Sequence, residues 1–199
     1  MTKNVGIILL AAGQSKRFGS QKLLHVTDGE QTLLAQSHHI YAELGLPIVV
    51  VTDAMQMGLV DYCEAQPWQS INIDNASAGM SESLKAGITY FNDMDGWLIA
   101  LGDMPNVQSA TAAALLKLAT RDKIIVPWQR TETGADRRQG NPVVIGADFR
   151  RELLSLKGDR GAKPILARYE SRITWLETND AGIYFDIDHP LDQSLDLNS

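Results

Sequence analysis

The stretch Leu9–Lys22 reads Leu-Leu-Ala-Ala-Gly-Gln-Ser-Lys-Arg-Phe-Gly-Ser-Gln-Lys, and it decides the fold predicted for this chain. It begins inside Val5–Leu10, an apolar run of the length typical of a buried strand. Small residues follow, and then a polar segment that carries Arg17 and Lys22. Backbone amides and cations at the end of a buried strand are suited to holding phosphate groups. The stretch therefore predicts a phosphate-binding loop at the edge of a sheet.

The end of this strand is also suited to a flat ligand. Ala11, Ala12 and Gly13 carry almost no side chain, so a base or a ribose can lie against the main chain after Leu10. Gly13 and Gly19 are separated by five residues, whereas a Walker A loop has four, and the dinucleotide motif G-x-G-x-x-G is absent. The alternative interpretation is an ordinary surface loop after an edge strand.

Strand and helix signals alternate along the rest of the chain. Strands are predicted at Pro47–Asp53, Ser70–Asn75, Gly96–Leu101, Lys123–Pro127, Pro142–Ile145, Arg172–Glu177 and Ile183–Phe185. Helices are predicted at Thr32–Leu44, Gly58–Gln66, Gly79–Asn92, Ser109–Arg121, Ala147–Leu156 and Ala162–Tyr169. This alternation predicts an α/β fold: a doubly wound, mostly parallel sheet with helices on both faces. Ligands of such folds gather at the carboxyl ends of the strands.

Composition narrows the classes of function. The 199 residues fit one domain. A net charge of −6 gives no basic field for nucleic acid. Cys63 is the only cysteine, which excludes an internal disulfide and a cysteine-based zinc site. Neither an apolar run long enough for a membrane span nor a leader-like N-terminus is visible, so a cytoplasmic protein is expected.

Carboxylates follow two of the predicted strands. Asp103 comes after Gly96–Leu101, and Asp186 and Asp188 come after Ile183–Phe185. In a parallel sheet these ends meet at one edge, and one or two carboxylates beside phosphate oxygens are a typical magnesium site. We therefore expect Asp103 to bind Mg²⁺, with Asp188 as a second ligand. The alternatives are that Asp103 caps the next turn, that Asp186 is the second ligand, or that both later aspartates cap the last turn.

Three glycine-containing segments offer further polar groups. The start of the helix Gly79–Asn92 could use its amides to contact a base or ribose, with Ser77 as its cap, or it is a plain helix start. Gly140–Pro142 and Gly158–Lys163 combine small residues with polar donors, and the second adds two cations. Both suit an anionic second substrate, although glycine turns with scattered charge are common.

The first stretch resembles the L-A-A-G-x-S-x-R-x-G-x-x-K signature of the MobA-like nucleotidyltransferases. Each defining residue is present: Leu10, Ala11, Ala12, Gly13, Ser15, Arg17, Gly19 and Lys22. Gly102–Pro105 resembles the second motif of the family, and Asp186–Asp188 resembles its closing motif, with His189 and Leu191 departing from the usual Thr and Glu. The resemblance runs from Val5 to about Asp192.

Within the family, the later segments resemble the molybdenum cofactor cytidylyltransferase branch. Gly79–Gly87 is similar to its G-x-x-x-S-L-x-x-G stretch, and Gly158–Lys163 to its Gly-Asp-x-Gly-Ala-Arg stretch. Gly140–Pro142 is similar to its Arg-Gly-x-Pro stretch, but Gln139 stands where Arg is usual, with Arg137 and Arg138 just upstream, and Asn141 stands where His is usual. This branch joins CMP from CTP to the phosphate of molybdopterin and releases pyrophosphate, and one candidate recipient of the product is a molybdoenzyme of the xanthine dehydrogenase type.

The resemblance implies a Rossmann-like nucleotidyltransferase with roles for named residues. The expected catalytic residues are Arg17, Lys22 and Asp103, and the expected metal ligands are Asp103 and Asp188. The nucleotide would contact Leu10, Ala11, Ala12, Gly13, Gly79 and Ser83, and the acceptor would contact Gly140, Asn141 and Arg160. The nucleotide-binding part would span about residues 1–105 and the acceptor-binding part about residues 106–192.

Three alternatives to this function remain open. The first is the same chemistry on another acceptor, such as a sugar or polyol phosphate. The second is a nucleotide-binding regulator without turnover, against which the intact set of Lys22, Asp103 and Asp188 argues. The third is a nicotinamide oxidoreductase, which the missing G-x-G-x-x-G motif disfavours.

Overall fold

The computed structural model describes residues 4–13, 21–26, 30–130 and 138–187. Within these residues, seven strands form one sheet. In chain order they are β1 (Val5–Leu10), β2 (Ile48–Asp53), β3 (Ser70–Ile73), β4 (Gly96–Leu101), β5 (Ile124–Trp128), β6 (Val143–Gly146) and β7 (Ile173–Glu177). Their order across the sheet is β3-β2-β1-β4-β6-β5-β7. β6 is antiparallel to both of its neighbours and the other pairings are parallel, which confirms a mostly parallel sheet.

Helices cover this sheet. Within the described residues they are α1 (Leu33–Ala42), α2 (Met57–Glu64), α3 (Met80–Tyr90), α4 (Ser109–Leu118), α5 (Arg150–Leu154) and α6 (Lys163–Arg168). All six correspond to predicted helices, with ends that differ by a few residues. None of the helices in the described part of the chain has the length and apolarity that a bilayer span requires.

The apolar core is divided into two clusters by the sheet. Side chains alternate along β1, so Ile8 and Leu10 belong to one cluster while Ile7 and Leu9 belong to the other. Residues of α3, α5 and α6 complete the first cluster, and residues of α1, α2 and α4 complete the second. Helices therefore lie on both faces of the sheet, which confirms the predicted doubly wound α/β fold.

β1 is an interior strand between β2 and β4, and all six of its residues are buried. Each large apolar side chain that is removed from water here stabilises the fold by about 1.5–3 kcal/mol. On one face, Gly87 lets α3 approach β1 closely, because a Cβ at this position would lie 2.4 Å from Cγ2 of Ile8. The close contact positions α3 against β1.

The last predicted strand is wrong. Instead of a strand at Ile183–Phe185, the chain forms a 3₁₀ helix at Ala181–Tyr184. The Asp180 carboxylate accepts hydrogen bonds from the amides of Gly182 and Gln108, each at 2.9 Å. These bonds hold the segment against the loop before α4, so it does not pair with the sheet. The Ile187 amide then donates to the Asp103 carbonyl, which brings Asp186 beside the end of β4.

We expect Asp180→Ala to destabilise the protein. Asp180 is 2% exposed, and its loss leaves the buried Gly182 amide without its acceptor, at a cost of about 1.5–3 kcal/mol in the free energy of unfolding. Urea unfolding measures this difference. The matched control is Asp148→Ala, whose side chain is 54% exposed and whose change should stay within about 0.5 kcal/mol. Equal urea midpoints for Asp180→Ala and the wild type would contradict this role.

Candidate functional site

A cavity of about 540 Å³ lies at the carboxyl ends of β1 and β4. The parallel register places Leu10 beside Leu101, so both strands end at the same level. Beyond them, the Ala11 amide donates to the Val51 carbonyl at 2.8 Å and the Gly102 amide donates to the Leu10 carbonyl at 2.9 Å. The cavity is lined by all six residues predicted to contact a nucleotide, namely Leu10, Ala11, Ala12, Gly13, Gly79 and Ser83.

Lys22 and Asp103 meet on the wall of this first cavity. Lys22 belongs to a 3₁₀ helix, Lys22–Leu24, and its Nζ lies 2.9 Å from Oδ2 of Asp103. The lysine side chain is 8% exposed and the aspartate side chain 28% exposed. An ammonium group this far from water requires a charged or polar partner, and Asp103 provides one. Two predicted catalytic residues, 81 positions apart in the chain, are thus in direct contact.

Gln56 contacts the end of the segment Leu10–Gly13, and the sequence did not predict this role. Its Nε2 donates to the Gly13 carbonyl at 3.2 Å. The preceding turn is stabilised by Asp53, whose carboxylate accepts from the Met55 amide at 3.0 Å. The available sequence signal is its position three residues beyond the end of β2, the strand that neighbours β1. Gln56 therefore orients the backbone that faces the first cavity.

The amides at the start of α3 have partners within the protein. The Met80 amide donates to Oδ1 of Asp159 and the Ser81 amide to the Gly158 carbonyl, both at 3.1 Å. The predicted cap Ser77 is wrong, because Gly79 is the N-cap residue and supplies no side chain. Both amides are thus occupied by partners within the protein, and contact between this helix start and a base or ribose stays a prediction. Side chains of this segment still face the cavity, among them Ser83.

A second cavity, of about 530 Å³, adjoins the first. Leu10, Met80, Leu101 and Asp186 line both. The other lining residues form an apolar floor and a polar rim: Leu84, Ile99, Met104, Val143, Ile183, Arg138, Gln139, Asn141, Arg160, Gly161, Ala162, Lys163 and Tyr184. Two of the residues predicted to bind an acceptor, Asn141 and Arg160, are in this set.

The third predicted acceptor residue, Gly140, lies behind the cavity wall. Its amide donates to the Pro127 carbonyl at 2.9 Å. The Ile183 side chain packs against it so closely that a Cβ on Gly140 would lie 2.6 Å from Cδ1 of Ile183. Gly140 thus allows its neighbours to reach the cavity and is not itself part of the lining.

Arg138, Lys163 and Tyr184 also line the second cavity. The sequence pattern draws attention to the two cations without assigning them a role, and it does not indicate Tyr184. The Arg138 guanidinium lies 4.5 Å from the Tyr184 ring centroid. The Tyr184 hydroxyl donates to the Arg138 carbonyl at 2.6 Å and accepts from the Gln129 amide at 2.9 Å. Arg138 lies two residues before Gly140, and Lys163 ends the segment Gly158–Lys163. The tyrosine therefore positions one of these cations.

The two cavities differ in charge. Among the described residues that line the first, Lys22 faces three carboxylates: Asp103, Asp159 and Asp186. Among those that line the second, three cations face the single carboxylate Asp186: Arg138, Arg160 and Lys163. Charges that are gathered in one partly buried cavity interact more strongly than they would in bulk water. The second cavity thus attracts an anion, whereas the first is suited to a polyphosphate that enters together with a cation.

Two predicted residues, Arg17 and Asp188, lie outside the described residues and stay predictions. The part of the chain that the structure describes has no group of three or more His, Cys, Asp and Glu side chains placed to hold a metal ion. Mg²⁺ needs few protein ligands, because water and phosphate oxygens complete its coordination. The hard oxygen donors of Asp103 and Asp186 on the first cavity fit a divalent cation that a nucleotide brings with it.

Comparison with known proteins shows which family model this sequence matches and which proteins it resembles. The model of the MobA-like NTP transferase domain family matches residues 7–173. Nicotine blue oxidoreductase of Paenarthrobacter nicotinovorans is 26% identical over 191 residues, which are 91% of this chain and 90% of that protein. The purine catabolism protein PucB of Bacillus subtilis strain 168 is 26% identical over 194 residues, which are 92% of this chain and 91% of that protein.

Among solved structures, Rv0371c of Mycobacterium tuberculosis H37Rv superposes with a TM-score of 0.82 at 21% identity, over 96% of both chains. The same mycobacterial protein in complex with manganese superposes with a TM-score of 0.77 at 20% identity, again over 96% of both chains. At these identities the likeness shows the fold, and it agrees with the Rossmann-like arrangement described above.

Proposed function

We propose that this chain, which belongs to the MobA-like NTP transferase domain family and is a nucleotidyltransferase, transfers CMP from CTP to the phosphate of molybdopterin and releases pyrophosphate. The observation that carries the proposal is the pair of adjoining cavities with opposite charge. The first cavity has the main chain of Leu10–Gly13 and the pair Lys22–Asp103 on its wall, and the second has three cations around an apolar floor.

In this proposal the first cavity holds the nucleotide. A base and ribose would lie against the small residues Ala11, Ala12 and Gly13, and Lys22 would neutralise phosphate charge. Phosphate oxygens would compete with the Asp103 carboxylate for the Lys22 ammonium. The same ammonium, together with Arg17, would stabilise the negative charge of the departing pyrophosphate. Positioning and charge neutralisation carry most of the rate enhancement in such transfers.

A divalent cation completes the proposed site. We propose Mg²⁺, held by the carboxylate of Asp103 with Asp188 as a second ligand. When bound, it supplies charge neutralisation at the phosphates, which the acidic wall of the first cavity makes necessary. The manganese complex of the structurally similar Rv0371c supports the choice of a divalent cation.

The second cavity is the proposed acceptor site. Arg138, Arg160 and Lys163 would bind the phosphate of the acceptor by charge-assisted hydrogen bonds, and Asn141 would contribute polar contacts. The three cations belong to the proposed acceptor-binding part, about residues 106–192. The apolar floor favours a flat heterocycle such as molybdopterin over a sugar or polyol phosphate, whose hydroxyl groups would be left without partners there.

The choice among functions depends on the products that form. The name nicotine blue oxidoreductase, carried by a relative at 26% identity, keeps redox chemistry as the alternative to exclude. The discriminating experiment combines the purified protein and Mg²⁺ with CTP, GTP, ATP or UTP and with molybdopterin, glucose 1-phosphate or glycerol 3-phosphate. Pyrophosphate release and the mass of the product are measured, and a parallel reaction follows NADH and NADPH oxidation.

We expect pyrophosphate from CTP and molybdopterin and a product with the mass of their CMP adduct. Equal turnover of CTP and GTP would contradict the cytidine preference. Turnover with a sugar or polyol phosphate in place of molybdopterin would assign a different acceptor. Nucleotide binding without turnover would indicate a regulator, and NADH or NADPH oxidation without pyrophosphate would indicate an oxidoreductase. If the CMP adduct forms, transfer assays can then identify the enzyme that receives it. The proposed recipient is a molybdoenzyme of the xanthine dehydrogenase type.

Lys22→Ala should lower kcat/KM for the nucleotide about 10- to 150-fold, because one charge-assisted contact to phosphate is lost, at about 1.5–3 kcal/mol. Arg17→Ala should act in the same direction. The matched control is Lys85→Ala. Lys85 pairs with Glu82 at 2.6 Å and lowers the pKa of that carboxyl, and neither residue is among the described residues that line the two cavities. Unchanged kcat/KM in Lys22→Ala and Arg17→Ala would remove this loop from the mechanism.

Asp103→Asn should reduce turnover at least ~10-fold, because it keeps the shape of the side chain but removes the charge that holds the cation. Asp186→Asn should have a smaller effect, and Asp188→Asn an intermediate one. The measurement is the Mg²⁺ dependence of pyrophosphate release, with thermal melts to show that each variant folds. A wild-type rate and a wild-type Mg²⁺ dependence in Asp103→Asn would place the metal site elsewhere.

A further inference from the structure

The turn Gly158–Gly161 is joined to the start of α3 by hydrogen bonds between distant parts of the chain. Asp159 Oδ1 accepts from the Met80 amide, a contact between residues 79 positions apart. The Gly158 carbonyl accepts from the next amide, that of Ser81. The turn therefore supplies the cap that Gly79, the N-cap residue of α3, does not have.

The two segments also touch at their backbones. Gly79 has a φ of +112°, and a Cβ on it would lie 2.4 Å from the carbonyl carbon of Gly158. On the other side, Gly161 has a φ of +53°, and a Cβ on it would lie 2.7 Å from Sδ of Met80. Glycine is required by both the conformation and the space at Gly79, and by the conformation at Gly161. Because the contact is this close, neither segment can shift without moving the other.

The interlocked segments separate the two cavities. Gly158 and Asp159 line the first cavity, whereas the next residues, Arg160 and Gly161, line the second. Met80 lines both. Consecutive residues of one short turn thus face two different sites. The turn continues into α6 through a hydrogen bond of 3.2 Å from the Lys163 amide to the Arg160 carbonyl, and Lys163 also lines the second cavity.

We propose that the turn Gly158–Gly161 couples the two cavities, and that Asp159 is a positioning residue that ties Arg160 in the second cavity to the start of α3 in the first. This coupling presupposes the proposed function for the identity of its two ligands. A nucleotide that fixes the start of α3 fixes Arg160 as well, so it raises the affinity for the acceptor. By linkage, the acceptor raises the affinity for the nucleotide by the same factor.

If Asp159 were only a structural cap of α3, the expected result would be different. Such a cap would change the stability of α3 and leave the second cavity unaffected, whereas a coupling element transmits a change from one cavity to the other. Two experiments separate these roles. The first needs no turnover and follows amide hydrogen exchange by mass spectrometry in the wild type, Asp159→Ala, Asp159→Asn and the control Asp148→Ala.

Without ligand, Asp159→Ala should accelerate exchange of the Met80 and Ser81 amides and of the Lys163 amide about fivefold, the size of effect that loss of a helix cap produces. Asp159→Asn keeps an oxygen acceptor and should restore most of the protection, and Asp148→Ala should resemble the wild type. Faster exchange at Met80 and Ser81 with an unchanged Lys163 amide would overturn the coupling, because the turn would then not be tied to the helix start.

With Mg²⁺ and CTP, GTP or ATP, binding should protect the segment around Gly13 in the wild type and also the segment Gly161–Lys163, which lines the second cavity. Asp159→Ala should retain the first protection and lose the second. Protection of Gly161–Lys163 that persists in Asp159→Ala, or that is absent in the wild type while Gly13 is protected, would overturn the proposal. Absence of protection at Gly13 with every nucleotide would refute the proposed function, and the ligand-free comparison would still decide the coupling.

The second experiment uses steady-state kinetics with CTP and molybdopterin. Asp159→Ala should raise the KM for molybdopterin about fivefold with kcat within twofold of the wild type, and Asp159→Asn should restore the KM. Arg160→Ala should raise the same KM in the wild-type background but less than twofold in the Asp159→Ala background, since the arginine is no longer positioned there. Additive effects of the two substitutions, or a lower melting temperature with an unchanged KM, would overturn the positioning role.

Discussion

The parallel pairing of β1 with β4 is the constraint on which the site depends. Their register sets Leu10 beside Leu101, and the bond from the Gly102 amide to the Leu10 carbonyl extends the pairing one residue beyond the strands. Asp103 therefore emerges next to the segment that follows β1, where Lys22 reaches it. Because β1 is buried on both faces, a slip by one residue would exchange its two sets of side chains between clusters that are already packed. Core packing thus fixes the position of a charged pair at the sheet edge.

The local charge of the site could not be read from the net charge of the chain. At −6 the protein is acidic, yet its second cavity collects Arg138, Arg160 and Lys163. The first cavity is acidic except for Lys22 among its described lining residues. In the proposed reaction this division keeps the two anionic substrates apart until each has a counter-charge: a divalent cation for the nucleotide and the cation cluster for the acceptor. The shared wall at Asp186 is then the point where the two substrates approach each other.

The sequence predicted those features that depend on neighbouring residues. Apolar runs marked the sheet strands, glycines and polar clusters marked their ends, and the alternation of strands and helices was enough to indicate the doubly wound fold. The errors all involve partners far away in the chain. Ile183–Phe185 has the composition of a strand, but Asp180 bonds to Gln108, 72 positions away, and draws the segment onto another loop. The hydrogen bond from Gln56 to Gly13 and the cap that Asp159 provides could not be predicted for the same reason, because each joins residues that become neighbours only after folding.

The occupied amides of α3 change where nucleotide selection has to occur in the proposed reaction. A pocket that distinguishes bases by size alone discriminates modestly, whereas unpaired hydrogen-bonding groups reject a wrong base strongly. The amides of Met80 and Ser81 cannot serve this purpose, because Asp159 and Gly158 accept from them. In the proposed reaction, selection then falls to other polar groups that line the first cavity, among them the Ser83 hydroxyl. The start of α3 and the turn at Gly158 lie between the two proposed substrates, and their close backbone contact explains why glycine is required at Gly79.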